Sequence, residues 1–407
     1  MRRGTNLPAV GGFNQAVILD AIRREPAGLS RVELQERTGL AYQTVSNVTR
    51  RLVDEGLVME GGKRISGPGK PGVLLHLAPQ GRFAVGVHID PAVITYAVVD
   101  LQGRVVADYQ ERTPVAETPE HVVTSMASGI EKVIEAAEVP RDRVLGVGIA
   151  APGPIDIRRG VVLDPPHLEG WKDVPLRDAL LEATDLPVVI EKDVSAAVVA
   201  ELWLRGETQR EDFAFFYLGT GIGLGLALEG KLVRGSSGNA GEGGTLFVPT
   251  ADGKSGRTNM LGRLATPGAL LAQAADQNLI TVAPPASNRG EVERLFDELL
   301  VRASEGEQAV VDLFNAAADV IGASFVSIVN LLDVSEIVLG GPYWDRVADR
   351  FEERIASLIS TSPDRVTHHP VRLTRSSMGD DVVAVGAATL VLDDVFAPKT
   401  TSLLISQ

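Results

Sequence analysis

The sequence predicts an α/β protein, an N-terminal winged helix-turn-helix followed by a two-lobed body built on a duplicated unit. Three observations carry this. Charge is segregated along the chain, the first 80 residues read as three helices and then two strands, and a three-strand pattern occurs twice in the remainder. The chain has 407 residues, 44% hydrophobic and 23% charged, with no cysteine. That length fits two or three domains. The lack of cysteine excludes disulfides, zinc fingers, cysteine nucleophiles and iron–sulfur clusters. No uninterrupted apolar run approaches the ~18 residues of a membrane span, and no signal-type apolar segment follows Met1–Asn6. A cytoplasmic protein with no membrane partner is expected.

The net charge of −14 argues at first against nucleic acid. Residues 1–80, however, hold eleven Arg and Lys against seven Asp and Glu, a formal +4, which leaves −18 for the rest. A basic head can meet phosphates while an acidic body stays away from them.

Within the head, Asn14–Arg24 places Val17, Ile18, Ala21 and Ile22 on one helical face. Ser30 and Glu33 form a capping-box pair for Arg31–Thr38, and Gly39 ends that helix. A third helix from about Ala41 to Glu55 buries Val45, Val48 and Leu52, and stops at Gly56. Leu57–Met59, a polar Gly61–Gly72 loop and Val73–Leu77 complete a winged-helix outline. The third helix presents Tyr42, Gln43, Thr44, Ser46, Asn47, Thr49, Arg50 and Arg51, groups suited to base edges and phosphates. Arg64 and Lys70, with Lys63, give the loop a basic character suited to backbone or minor-groove contact. Double-stranded operator DNA is the expected partner; a plain protein-contact module is the alternative.

The body begins with strands Phe83–Asp90, Val93–Asp100 and Arg104–Glu111. The pattern returns as Phe213–Leu218, Ile222–Leu228 and Lys231–Arg234. Two copies, each followed by helices, predict two lobes around a cleft, the actin-like ATPase architecture of sugar kinases. The expected divisions are residues 1–80 for the head, 81–200 plus about 380–397 for the first lobe, and 201–379 for a second lobe with an oligomerisation surface. Strand Val144–Ala150 runs into Pro152-Gly153-Pro154, and Val188–Ile190 runs into Lys192-Asp193. Both loops fall at strand C-termini, where open α/β sheets hold ligands. Gly219-Thr220-Gly221 is a hairpin whose glycines let a phosphate approach, a candidate nucleotide loop. Asp193 and Glu242 can accept hydrogen bonds from vicinal hydroxyls, or serve as a helix cap and a loop brace.

Together these segments resemble the ROK family of repressors and sugar kinases across essentially the whole chain. The carriers are Pro152-Gly153-Pro154-Ile155-Asp156, Leu168-Glu169-Gly170-Trp171, Asp193…Ala196-Ala197, Leu218-Gly219-Thr220-Gly221-Ile222-Gly223, Ala240-Gly241-Glu242 and Val338-Leu339-Gly340-Gly341. The added head is similar to the repressor branch, typified by N-acetylglucosamine and xylose repressors. The resemblance implies an effector site at Gly153, His167, Lys192, Asp193 and Glu242, with Asp193 as catalytic base if the chain is active.

Several positions depart from the kinase pattern. The first phosphate loop, Asp-x-Gly-Gly-Thr in kinases, reads Asp90-Pro91-Ala92-Val93-Ile94-Thr95, without either glycine. The Asn-Asp pair of the kinases is Lys192-Asp193, and the zinc-ligating histidine falls at Gly244. The family's zinc loop aligns with Gly253–Arg263, which has neither Cys nor His. Neither zinc nor ATP is expected as a cofactor. The expected function is a sugar-responsive repressor, a homodimer or homotetramer sensing a sugar or sugar phosphate. The alternatives are a bifunctional sugar kinase and a regulator controlled by a protein partner.

Overall fold

The computed structural model describes residues 7–64, 71–114, 118–165, 168, 170–205, 212–249, 258–285 and 288–398. The expected contacts Lys70 and His167 lie outside them. Helices α1 (Leu7–Arg23), α2 (Arg31–Thr38) and α3 (Tyr42–Asp54) form the head. Strands β1 (Leu29–Ser30), β2 (Val58–Arg64) and β3 (Gly72–Leu77) pair antiparallel in the order β1-β3-β2. The two-residue β1 was too short to show a period in the sequence. Ser30 and Glu33 close a reciprocal capping box, and Gly39 takes the left-handed conformation that ends α2.

The body's first unit comprises β4 (Phe83–Ile89), β5 (Val93–Asp100), β6 (Val105–Arg112), α4 (Pro119–Ala136), β7 (Val144–Ala151), the small hairpin β8 (Ile155–Asp156) and β9 (Val161–Val162), α5 (Leu176–Thr184), β10 (Val188–Lys192) and α6 (Asp193–Leu204). Its second unit comprises β11 (Phe213–Leu218), β12 (Ile222–Leu228), β13 (Lys231–Leu232), the hairpin β14 (Phe247–Pro249) and β15 (Thr258–Met260), and α7 (Gly262–Ala265). It continues through α8 (Pro267–Asp276), α9 (Arg289–Ser304), α10 (Gln308–Leu332), β16 (Glu336–Gly340), α11 (Trp344–Thr361), β17 (Arg372–Arg375) and α12 (Val382–Phe396).

The two five-stranded sheets run β10-β7-β4-β5-β6 and β13-β12-β11-β16-β17. Numbered within each unit and read from the last strand, both orders are 5-4-1-2-3. In both, the first three strands are antiparallel and the last two join parallel to the first. The duplication is therefore a repeat of topology, beyond a shared taste for meanders.

Helices α6 and α12 cross between the sheets, and small residues permit the approach. A Cβ on Gly386 would lie 2.3 Å from the Ala196 carbonyl oxygen, and one on Gly148 1.7 Å from that of Ala387. By length and composition α10 could cross a membrane, yet 61% of its apolar window is buried as the spine of the second lobe. Asp312, Asn315 and Asp319 interrupt the apolar run, so the sequence shows no continuous span. Around this helix Phe216 meets Phe325 and Trp344 edge-to-face.

Candidate functional site: the interlobe cavity and the recognition helix

A cavity of about 400 Å³ opens between the lobes. Gly153, Lys192, Asp193 and Glu242 converge on it, as the sequence predicts. Asp193 opens α6 immediately after β10, so the strand end aims it at the cleft. Its Oδ1 accepts the Val194 N–H at 2.7 Å. Burial pushes its carboxyl up to about 6, against the pull of the neighbouring Lys192 ammonium.

Lys192 is buried at 4% exposure, and its ammonium needs compensation there. It donates to Glu242 Oε1 at 2.5 Å and to the Ala240 carbonyl at 3.2 Å. Glu242 comes from the other lobe and is itself exposed. It is held in place by Gly241, whose φ of +92° suits glycine and whose Cβ would strike the Leu224 carbonyl. Gly153 faces the same pair, since a Cβ there would lie 3.0 Å from Glu242 Oε1 and 3.3 Å from Lys192 Cε. Asn239 adds a second bridge between the lobes, exchanging 2.8 Å bonds with the Ile155 N–H and carbonyl.

Thr220 and Gly221 of the glycine hairpin line the cavity, and Gly221 faces open space. Gly219 does not line it; the Tyr217 ring covers its side-chain direction. Gly223 and Gly225 serve packing, because a Cβ on either would meet Val194 or Val198 of α6. The Thr220 hydroxyl donates to Asp90 Oδ2 at 3.3 Å, joining the turns of the two lobes. Asp90 also accepts the Ala92 N–H at 2.9 Å, so its carboxylate braces its own turn.

Sequence reasoning missed His88, Tyr217 and Arg263, which also line the cavity. His88 and Tyr217 occupy equivalent places, the penultimate residue of the first strand in each unit. Their rings meet edge-on across the cleft with centroids 6.4 Å apart. Burial lowers the His88 imidazole to about 4 and raises the Tyr217 phenol well above its ordinary value, so both are neutral near pH 7. Placing the two strands in register on the repeat would have found them.

In the head, Tyr42, Gln43, Asn47, Arg50 and Arg51 are exposed along α3, with Thr44 and Ser46 partly so. Gln43 donates to Asn47 and Arg51 pairs with Glu55. Thr49 departs from expectation. It is fully buried, donating to the Ser46 carbonyl and accepting from Arg31 Nε. Arg64 is likewise not a free wing cation, being held by Glu33 at 3.2 Å and the Ala27 carbonyl at 3.0 Å. The wing charge turns inward there because the capping-box carboxylate lies within reach.

Comparison with known proteins matches residues 84–394 to the ROK family model and residues 12–64 to the MarR family model. The chain is 25% identical over 379 residues to a xylose repressor of Caldicellulosiruptor bescii, covering 91% of this chain and 93% of that one. Among solved structures it is similar to a ROK family transcriptional regulator described as a homolog of the E. coli MLC protein. The TM-score is 0.75 at 21% identity, over 95% of this chain and 98% of that one. A ROK hexokinase from Thermus thermophilus matches at TM-score 0.62 and 28% identity, over 77% of this chain and 99% of the hexokinase, a length that leaves roughly a head's worth of chain unmatched. With the family model spanning both repeated units and a separate winged-helix match ahead of it, the chain belongs to the ROK family.

Proposed function

We propose that this protein is a sugar-responsive, DNA-binding transcriptional repressor whose interlobe cavity binds the effector and whose α3 reads the operator. The observation that carries this reading is a winged helix packed onto a body whose cavity gathers Lys192, Asp193 and Glu242. Carboxylates beside a buried ammonium suit a polyol, since they offer acceptors and a donor to vicinal hydroxyls. The relatives named xylose repressor support it. Two-fold operators call for at least a dimer.

Phosphoryl transfer is not part of this reading. Asp90 and Thr220 bond to one another across the two turns, and Ala92 and Val93 stand where a glycine cradle would be. Zinc is not part of it either. Gly244 packs against Gly262 with no side-chain donor, and the chain has no thiolate. Kinase activity keeps one supporting observation, an Asp193 carboxyl near 6 that would suit a general base. An ADP-release assay over several hexoses addresses it, and turnover lost in Asp193→Ala would replace the repressor-only reading with a bifunctional one.

The main test titrates DNA from the protein's own promoter region with and without D-xylose, D-glucose and their phosphates, read by fluorescence anisotropy. Salt-sensitive binding that one of these sugars weakens is expected. Absence of binding at moderate salt would overturn the reading.

A further inference from the structure

We infer that α6 is a coupling lever between the cavity and the DNA-binding head, with Trp203 and Arg23 as its coupling residues. This rests on the proposed function for its biological meaning, but its geometry stands by itself. Helix α6 has 12 residues and is thus about 18 Å long. Its first residue is Asp193, on the cavity. Near its other end, Trp203 packs in one apolar cluster with Ile18, Leu19 and Ile22 of α1.

Arg23, the last residue of α1, is the clasp. Its guanidinium lies 4.4 Å above the Trp203 ring and donates to the Trp203 backbone carbonyl. The ring's Nε1 in turn donates to the Leu101 carbonyl at 3.3 Å, so the indole cannot rotate away from the body. Arg23 is 8% exposed, and Asp20 on the same helix balances its charge. Two residues beyond Trp203, Arg205 pairs with Glu336 of β16 at 3.0 Å and stacks on Phe213. The one helix is thereby tied to the cavity, to the head and to the second-lobe sheet.

Packing makes this helix stiff between those points. Gly386 brings α12 against the Ala196 carbonyl, and Gly223 and Gly225 bring β12 against Val194 and Val198. Close backbone contact resists sliding, because a close-packed interface has few alternative arrangements. A change in lobe closure at Lys192 and Glu242 must shift α6 against one of its ties. The head, gripped at Trp203, moves with it. Coupling of this kind requires that the shared element have two arrangements which both ends bias, and that is what the exchange measurement reads.

The test uses the full chain and amide hydrogen exchange, and it begins without ligand. Lys192→Met removes the cavity ion pair. In the wild-type background it is expected to change exchange in α1 about fivefold or more. In an Arg23→Gln background the same change at Lys192 should leave α1 exchange within about twofold, while exchange at the start of α6 still responds. In a Trp203→Phe background, which keeps a ring but loses the Leu101 bond, Lys192→Met should give an intermediate α1 response, and this background stands in should Arg23→Gln misfold. An α1 response equal in both backgrounds, or no α1 response to Lys192→Met, would overturn the lever.

A second arm adds D-xylose or D-glucose. Protection at the cavity with a response in α1 only when Arg23 is present supports the lever again. Lack of any sugar protection would count against the effector reading and leave the lever to be decided by the first arm.

Discussion

Asp193 holds its proton longer than an ordinary aspartate because burial outweighs the neighbouring ammonium. Its folded pKa, about 6, lies above the unfolded one, so its protonated form favours folding. That contribution is fully present below about pH 4 and is lost as pH rises through about 6. Asp193→Asn should therefore gain stability relative to wild type as pH rises from 4.5 to 8, by roughly 1–3 kcal/mol. Paired urea melts at the two pH values measure it, and a difference independent of pH would show that the carboxyl is not desolvated. Lys192 shows why part of the site could not be read from the sequence. Its place next to Asp193 was legible, whereas its 2.5 Å partner Glu242 is 50 residues away and arrives from the other lobe. Pairings of that range depend on how the sheets fold together, which local spacing does not encode.

Elements whose function lies on one face were the most legible. The apolar positions Val45 and Leu52 of α3 are buried as its period requires, and most of its polar positions are exposed. Thr49 was misread because its hydroxyl finds a backbone carbonyl inside, a local bond that lets a polar residue sit on the buried face. Arg50→Ala should weaken DNA binding by about 1–3 kcal/mol if it reads a guanine, or flatten the salt dependence if it touches phosphate. Unchanged affinity and salt slope would displace α3 from the interface. Glycines, by contrast, were legible as a type but not in role. Gly221 meets nothing within 4 Å, whereas Gly148 would drive a Cβ into the Ala387 carbonyl of α12. Thermal melts of the two alanine variants should then differ sharply. Gly148→Ala is expected to cost at least about 1–3 kcal/mol by overpacking, and Gly221→Ala well under 1 kcal/mol. Equal costs would mean that α12 does not approach the first sheet as described.

At the scale of the whole molecule, the +4 head and −18 body suggest two separable objects, but the packing joins them. Leu19, Ile22 and Leu77 of the head share one apolar cluster with Leu101, Trp203, Val391 and Leu392 of the body. No sequence period marks that seam, because it is built from one or two residues each of α1, β3, α6, α12 and the turn after β5. A seam of this kind makes the two parts thermodynamic neighbours, since unfolding either exposes apolar surface on the other. Leu19, only 4% exposed, stands beside Leu101, Trp203 and Phe396. Leu19→Ala should destabilise by about 2–5 kcal/mol, as other deletions of buried leucine do. The loss should appear in the unfolding of the first lobe as well as in that of the head. Calorimetry followed by limited proteolysis separates the cases. Joint unfolding predicts one lowered transition and no protected body fragment at its onset, while a head that melts alone and leaves an intact body would show that the seam does not bind the two together.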